Sequence, residues 1–337
     1  MNSAGLNEFV LGRQMGLLKF WRLAACLSGL LLGLLLGGCS PEREAPLRIG
    51  TNVWAGYEPL YLARSLGHYD NSTIHLVELP SATEVMHALR SGLLEGAALT
   101  LDEVLSLLEE GLDLSVILVM DYSVGADVLL ARPGINDLAE LRGKRVVVEH
   151  TSVGAILLDG ALEAAGLQSD DIEVIPCPLD QHPACFRTAD AVVTFEPIRT
   201  QLLGEGAHQL FDSSEIPGRI VDVLVVNKQI AQSHPQALSR LIAGHFLARQ
   251  YLEVNPQEAA QRMAPRLGIK PAEVLLAFKG VHLSDIEQNR KLLGPGSASL
   301  HSTVENLARL LVEKQLLRDR VVIEGLLDNQ FLPELSH

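Results

Sequence analysis

Four aromatic residues and five carboxylates stand where short apolar runs break off. Trp54 and Tyr57 follow "LRIGTNV", Tyr122 follows "LSVILVMD" and Phe195 follows "DAVVT". Asp102, Asp121, Asp127, Glu149 and Glu196 lie at the same breaks, and no Lys or Arg does. Rings at such tips stack on a planar or apolar molecule, or fill space between packed halves; Tyr57 and Phe195 are open to either use. A carboxylate there caps a helix, bridges a hinge, pairs an amine or accepts from a ring N–H, and Asp121 and Glu196 are the candidates for a ligand. Bare helix N-termini hold anions, yet this many acids make a poor anion trap and favour a neutral or cationic planar solute. Ser81 or Thr83, Thr100 or Asp102, and Thr151 or Ser152 read as helix N-caps, whose spare N–H groups face whatever lies beyond the tips. No GxSxG elbow, HExxH, P-loop or dinucleotide fingerprint is present. His150 is the one histidine at a tip. No catalytic residue, cofactor or metal is assigned.

These tips need elements to hold them. Apolar runs rich in Val, Ile and Leu predict strands over 47–53, 74–79, 96–100, 115–120, 126–131, 145–149, 172–177, 190–195 and 220–226. Amphipathic patterns between them predict helices near 57–67, 83–91, 102–111, 153–165 and 196–203. The alternation predicts a parallel-type α/β sheet covered on both faces. Past residue 227 the pattern turns helical, over 235–253, 256–267, 271–278, 284–292 and 299–316, with prolines between. Gly125 and "SSEIPGRIVDVLVV" mark two passages between β/α groups. Two passages make a hinge with a ligand mouth between the halves.

The first 38 residues stand apart. Arg13, Lys19 and Arg22 precede the uncharged run Leu23–Gly38, and Cys39 follows. Sixteen helical residues reach about 24 Å, short of the ~30 Å core of a bilayer. The pattern is that of a secretory signal. "LGGC" resembles the bacterial lipobox, which places a lipid on Cys39 and a tethered, extracytoplasmic protein beyond it, on the inner or outer membrane. Residues 39–46 form the linker. "MGLLKFWRLAACLSGLLLGLLLGGC" is a signal of ordinary proportions, so Met15 competes with Met1 as the start. Residues 1–38 carry three of the 27 basic and one of the 41 acidic residues, so the remainder has a net charge of −16. That surface repels nucleic acid. Cys177 and Cys185, in "CPLDQHPAC", can close a small disulfide loop in an oxidising compartment, remain free thiols, or offer a weak metal set with His182.

Four stretches in order carry a likeness: "GYEPLYLARSLGHYD", "ATEVMHALRSGLLEGAALT", "GADVLLARPGINDLAELRGKRVVVEHTSVGAILLDGALEAAGL" and "DAVVTFEPIRTQLL". They resemble the substrate-binding proteins of ABC importers in the nitrate/sulfonate/taurine group, which includes the NMT1/THI5-like binders of a thiamine pyrimidine precursor. The resemblance spans about residues 47–260. It implies an α/β, two-lobed type II periplasmic-binding fold with a helical C-terminal region: lobe 1 from 47–125 plus 222–337, lobe 2 from 126–221. It implies that the ligand meets Trp54, Gly56 and Tyr57, Ser81 and Thr83, Thr100, Tyr122 and Ser123, Thr151, Ser152 and Val153, and Phe195 and Glu196. A monomer delivering a small molecule to an ABC permease is the implied role. Two departures stand out. A basic residue at the mouth is lacking, which weighs against nitrate and sulfonate, and the Cys-rich motif of the pyrimidine-synthesising relatives is lacking too. A ligand-sensing receptor for a membrane signalling protein, and an enzyme using His150 or Glu196 as base, are the alternatives on the same fold.

Overall fold

The computed structural model describes residues 46–149 and 152–334. The chain opens β1 (Leu47–Thr51), α1 (Glu58–Ser65), β2 (Ile74–Glu78), α2 (Ala82–Arg90), β3 (Gly96–Thr100), α3 (Leu101–Glu109) and β4 (Leu114–Ser123). It continues β5 (Val128–Ala131), β6 (Arg145–Val148), α4 (Ser152–Ala165), β7 (Glu173–Pro176), α5 (His182–Phe186), β8 (Ala191–Thr194), α6 (Ile198–Gly204) and β9 (His208–Asp212). It returns through β10 (Val221–Asn227), α7 (Lys228–Ser233), α8 (Pro235–Val254), α9 (Pro256–Leu267), α10 (Pro271–Ala277), β11 (Val281–Leu283), α11 (Ile286–Leu293) and α12 (His301–Glu313).

Two sheets result, ordered β11-β4-β10-β3-β1-β2 and β7-β6-β8-β5-β9. Both are mixed, which departs from the parallel-type sheet that the alternation predicts. β1 runs parallel to β2 and β3, but β10 pairs antiparallel with β3 and β4. In the second sheet β6 is parallel to β7 and β8, and β5 is antiparallel to β8 and β9. The antiparallel strands β5 and β10 are the first to follow a passage from the other sheet. A chain arriving from outside enters its sheet without a crossover helix, so the right-handed βαβ rule does not fix its direction.

Alternate residues along the central strands feed two cores, one on each face. Val221, Val223 and Val225 of β10 pack with α2, α3 and α12, whereas Leu224 and Val226 pack with α1, α8 and α9. The first of these cores continues into the second sheet through Val146, Val148 and Ile156. There α3 packs on α4, and Lys314 pairs with Asp159 at 2.8 Å. The two lobes are therefore joined by apolar contact as well as by the hinge.

That hinge is built from residues 124–127 and 213–220. Gly125 has φ +99°, a conformation in which a Cβ is strained. Its N–H donates to Ser213 Oγ at 2.7 Å, and Ser123 Oγ lies 2.7 Å from the same oxygen. The Asp127 N–H donates to Ser123 Oγ at 3.2 Å, and Arg199 of α6 donates to the Gly125 carbonyl at 3.1 Å. Both passages are thus tied to each other by side chains.

Candidate functional site: a crevice between the two sheets

The end of β1 supplies the first wall. After Asn52 the chain turns through a short 3-10 segment, Ala55–Tyr57, whose Tyr57 N–H donates to the Trp54 carbonyl at 3.1 Å. Trp54 is 4% exposed, and its indole N–H points at both Asp121 oxygens, at 3.3 and 3.4 Å. This approach requires Gly56: a Cβ there would lie 1.9 Å from Asp121 Oδ2. Tyr57 Oη donates to Asp222 Oδ1 at 2.6 Å. Arg266 of α9 braces the turn from behind. It donates to the Asn52 carbonyl at 3.0 Å, pairs with Glu58 and Glu78, and lies 3.6 Å from the Tyr61 ring centroid.

Asp121 and Asp222 face each other in the β4–β10 register. Burial pushes Asp121 up to about 8, against the pull of the Trp54 N–H. Asp222 is raised well above the carboxylate range, first by burial and then by the charge of Asp121. Two buried acids in register do not both ionise readily. Asp127, at the hinge, is pushed up to about 6 by burial.

Two helix starts reach the crevice, and both carry the chain's own glutamates. Ser81 Oγ caps α2 by accepting the Glu84 N–H at 3.3 Å. In the same first turn, the Thr83 N–H and Oγ1 donate to Glu149 Oε1 at 3.2 and 2.9 Å. Glu149 directly follows β6, so this contact latches one sheet to the other. At α3 the Thr100 N–H donates to Glu103 Oε2 at 2.9 Å. Burial, followed by the charge of Asp102, pushes Glu103 up to about 8.

The second sheet contributes Phe195, just beyond β8. Its ring meets Trp54 edge-on, centroids 5.1 Å apart and planes at 87°. Behind it the Cys177–Cys185 disulfide closes a loop whose His182 lies within 3.2 Å of Thr194 Oγ1 and of the Cys177 carbonyl. Both ring nitrogens are thus engaged, and burial lowers His182 to about 4. Among the described residues no group of three or more His, Cys, Asp or Glu is placed to hold a metal.

Trp54, Tyr57, Thr100, Val153 and Phe195 therefore border a common crevice with Asn52, Ala82, Glu103, Asp127, Glu149, Ile220 and Asp222. As it stands the crevice has room for about one or two water molecules. The other sequence candidates lie around this centre. Gly56 and Asp121 sit behind Trp54, and Ser81 and Thr83 form the α2 start. Ser123 belongs to the hinge. Tyr122 lines a separate groove with Phe278 and Leu275. Glu196 accepts from the Thr200 N–H and Oγ1, at 3.1 and 3.0 Å, at the start of α6. Thr151, His150, Cys39 and the whole signal segment lie outside the described residues, as does the side chain of Ser152.

A model of the NMT1-like family matches residues 40–268. The chain belongs to the NMT1-like family. Binding proteins of Brucella abortus and Brucella suis are 26% identical to it over 184 residues, which is 52% of this chain and 58% of theirs. The chain thus spans less than two thirds of those relatives. The taurine-binding periplasmic protein of Escherichia coli is 22% identical over 279 residues, 76% of this chain and 86% of its own. Among solved structures, the alkanesulfonate-binding protein of Xanthomonas axonopodis, bound to MOPS, superposes with a TM-score of 0.72 at 20% identity, covering 86% of this chain and 99% of that one. A desulfurization enzyme superposes with a TM-score of 0.62 at 18% identity, covering 86% and 97%. The α/β two-lobed fold is that of periplasmic binding proteins.

Five crevice-lining residues of this NMT1-like chain escape the sequence reading: Asn52, Ala82, Glu103, Ile220 and Asp222. Asp222 was detectable as a lone acid inside the apolar run "IVDVLVV". Glu103 stands three residues after Thr100, the spacing at which a side chain folds back on its helix start.

Proposed function

We propose that this protein is an extracytoplasmic solute-binding protein that closes its two lobes on a small molecule and delivers it to an ABC importer. The observation that carries the reading is the meeting of Trp54 and Phe195, one from each sheet, over a crevice latched by Thr83 and Glu149. Membership of the NMT1-like family and relatives named as sulfonate- and taurine-binding proteins support it. A binding rather than catalytic role accords with those relatives and with Glu196 being engaged by Thr200. Solute binding favours the closed state through contacts that the open state lacks.

A thermal-shift panel of taurine, nitrate, amines and pyrimidines tests the reading. A binding solute raises the melting temperature and changes the emission of Trp54, the one tryptophan left once residues 1–38 are removed, and Trp54→Phe abolishes that emission. A panel without any shift, at millimolar solute, contradicts it. The tether is a further part of the proposal: Cys39 carries the lipid, and palmitate labelling of cells is lost in Cys39→Ser.

A further inference from the structure

We propose that the crevice takes a small organic cation with a flat apolar body, its charged nitrogen set against Glu103, Asp127 and Asp222 and its body against Trp54 and Phe195. This assignment rests on the solute-binding reading and narrows it. Glu103, Asp127, Glu149 and Asp222 line the crevice, and no Lys, Arg or His does among the described residues. Acids alone often serve as caps, and Glu149 does so here. Glu103 caps α3 with one oxygen only. It is 1% exposed, its Oε2 accepts the Thr100 N–H, and its Oε1 has no hydrogen-bond partner. A buried carboxyl that makes a single hydrogen bond is under-satisfied, and an ammonium, amidinium or protonated ring nitrogen supplies a donor and the opposite charge once that carboxyl has given up its proton.

Two of the places an anion would use are taken. A sulfonate or nitrate is held by free N–H groups at helix starts, but Glu149 fills the start of α2 and Glu103 that of α3. The aromatic pair adds to the preference, since the face of an indole or phenyl ring attracts cations. Cation entry also moves a proton. Glu103 is held protonated near neutrality by burial and by the charges of Asp102 and Glu149, and Tyr57 and Asp222 face it as well. A bound cation reverses that bias, so the Glu103 carboxyl proton leaves to solvent as the ion pair forms.

Three probes that share a benzene ring separate the cases: benzamidinium, neutral benzamide and benzenesulfonate, titrated calorimetrically into the full protein at pH 7.5. Benzamidinium is expected to bind at least tenfold tighter than benzamide, with benzenesulfonate silent. Its apparent heat should vary with the ionisation heat of the buffer, marking proton release. Glu103→Gln keeps the shape and removes the charge; it should weaken benzamidinium at least tenfold and abolish the released proton, while melting no lower than the parent. Binding of benzenesulfonate without benzamidinium overturns the cation assignment and leaves the solute-binding reading standing. Benzamidinium binding unchanged in Glu103→Gln overturns the assignment as well. Silence from all three probes overturns it too, and only a silent taurine, nitrate, amine and pyrimidine panel removes the solute-binding reading with it.

Discussion

Glu103 is one of several buried acids that set the pH behaviour of the crevice. Its carboxyl sits near 8 when folded, against an ordinary value near 4.5. Between those values the folded state binds more protons than the unfolded chain, so stability falls as pH rises. The slope for one such group is at most about 1.4 kcal/mol per pH unit. Stability measured by denaturant unfolding should therefore decline from pH 5 to pH 8, and Glu103→Gln should flatten that decline by up to one proton. An unaltered slope in the variant would show that Glu103 is ionised throughout. Trp54 shows how a residue becomes legible before its surroundings do. Its scarcity and its place after an apolar run single it out. Its actual neighbours, Asp121 through the indole N–H and Phe195 through the ring edge, come from strands distant in sequence.

At the scale of elements, the hinge depends on two serines. Ser213→Ala leaves the part-buried Gly125 N–H without its acceptor, a loss of about 1 kcal/mol. Chemical denaturation should show that loss, whereas a variant as stable as the parent would place the hinge's strength elsewhere. The loop closed by Cys177 and Cys185 spans eight residues in sequence separation. Chain entropy gives it about 2.5 kcal/mol, so Cys177→Ser with Cys185→Ser should lower stability by about that amount; unfolding with and without reductant checks it. Strands were easier to find than their directions. The run "VDVLVV" reads the same in a parallel or an antiparallel strand, because both of its faces are covered in either case. β9 (HQLFD) and β11 (VHL) were not legible, since they are short edge strands with polar residues and half-exposed faces. The helical region past residue 227 was legible from its prolines, which stand at the first positions of α8, α9 and α10.

For the whole molecule, the account requires the lobes to separate and close. Separation must break the Thr83–Glu149 latch, the Trp54–Phe195 contact and the Lys314–Asp159 pair, and must loosen the packing of α3 on α4. A bound solute replaces the first two losses with contacts of its own. The proposed signal over residues 1–38 and the proposed lipid on Cys39 bear on location rather than on this motion; no described helix is long and apolar enough to cross a membrane. Hydrogen exchange on the purified protein, with and without a solute that raises its melting temperature, tests the central claim most directly. The account predicts coordinated slowing at Trp54–Tyr57, at Ala82–Glu84 and beside Phe195, on tips from both sheets. Slowing confined to one sheet, or to the groove around Tyr122 and Phe278, would contradict it.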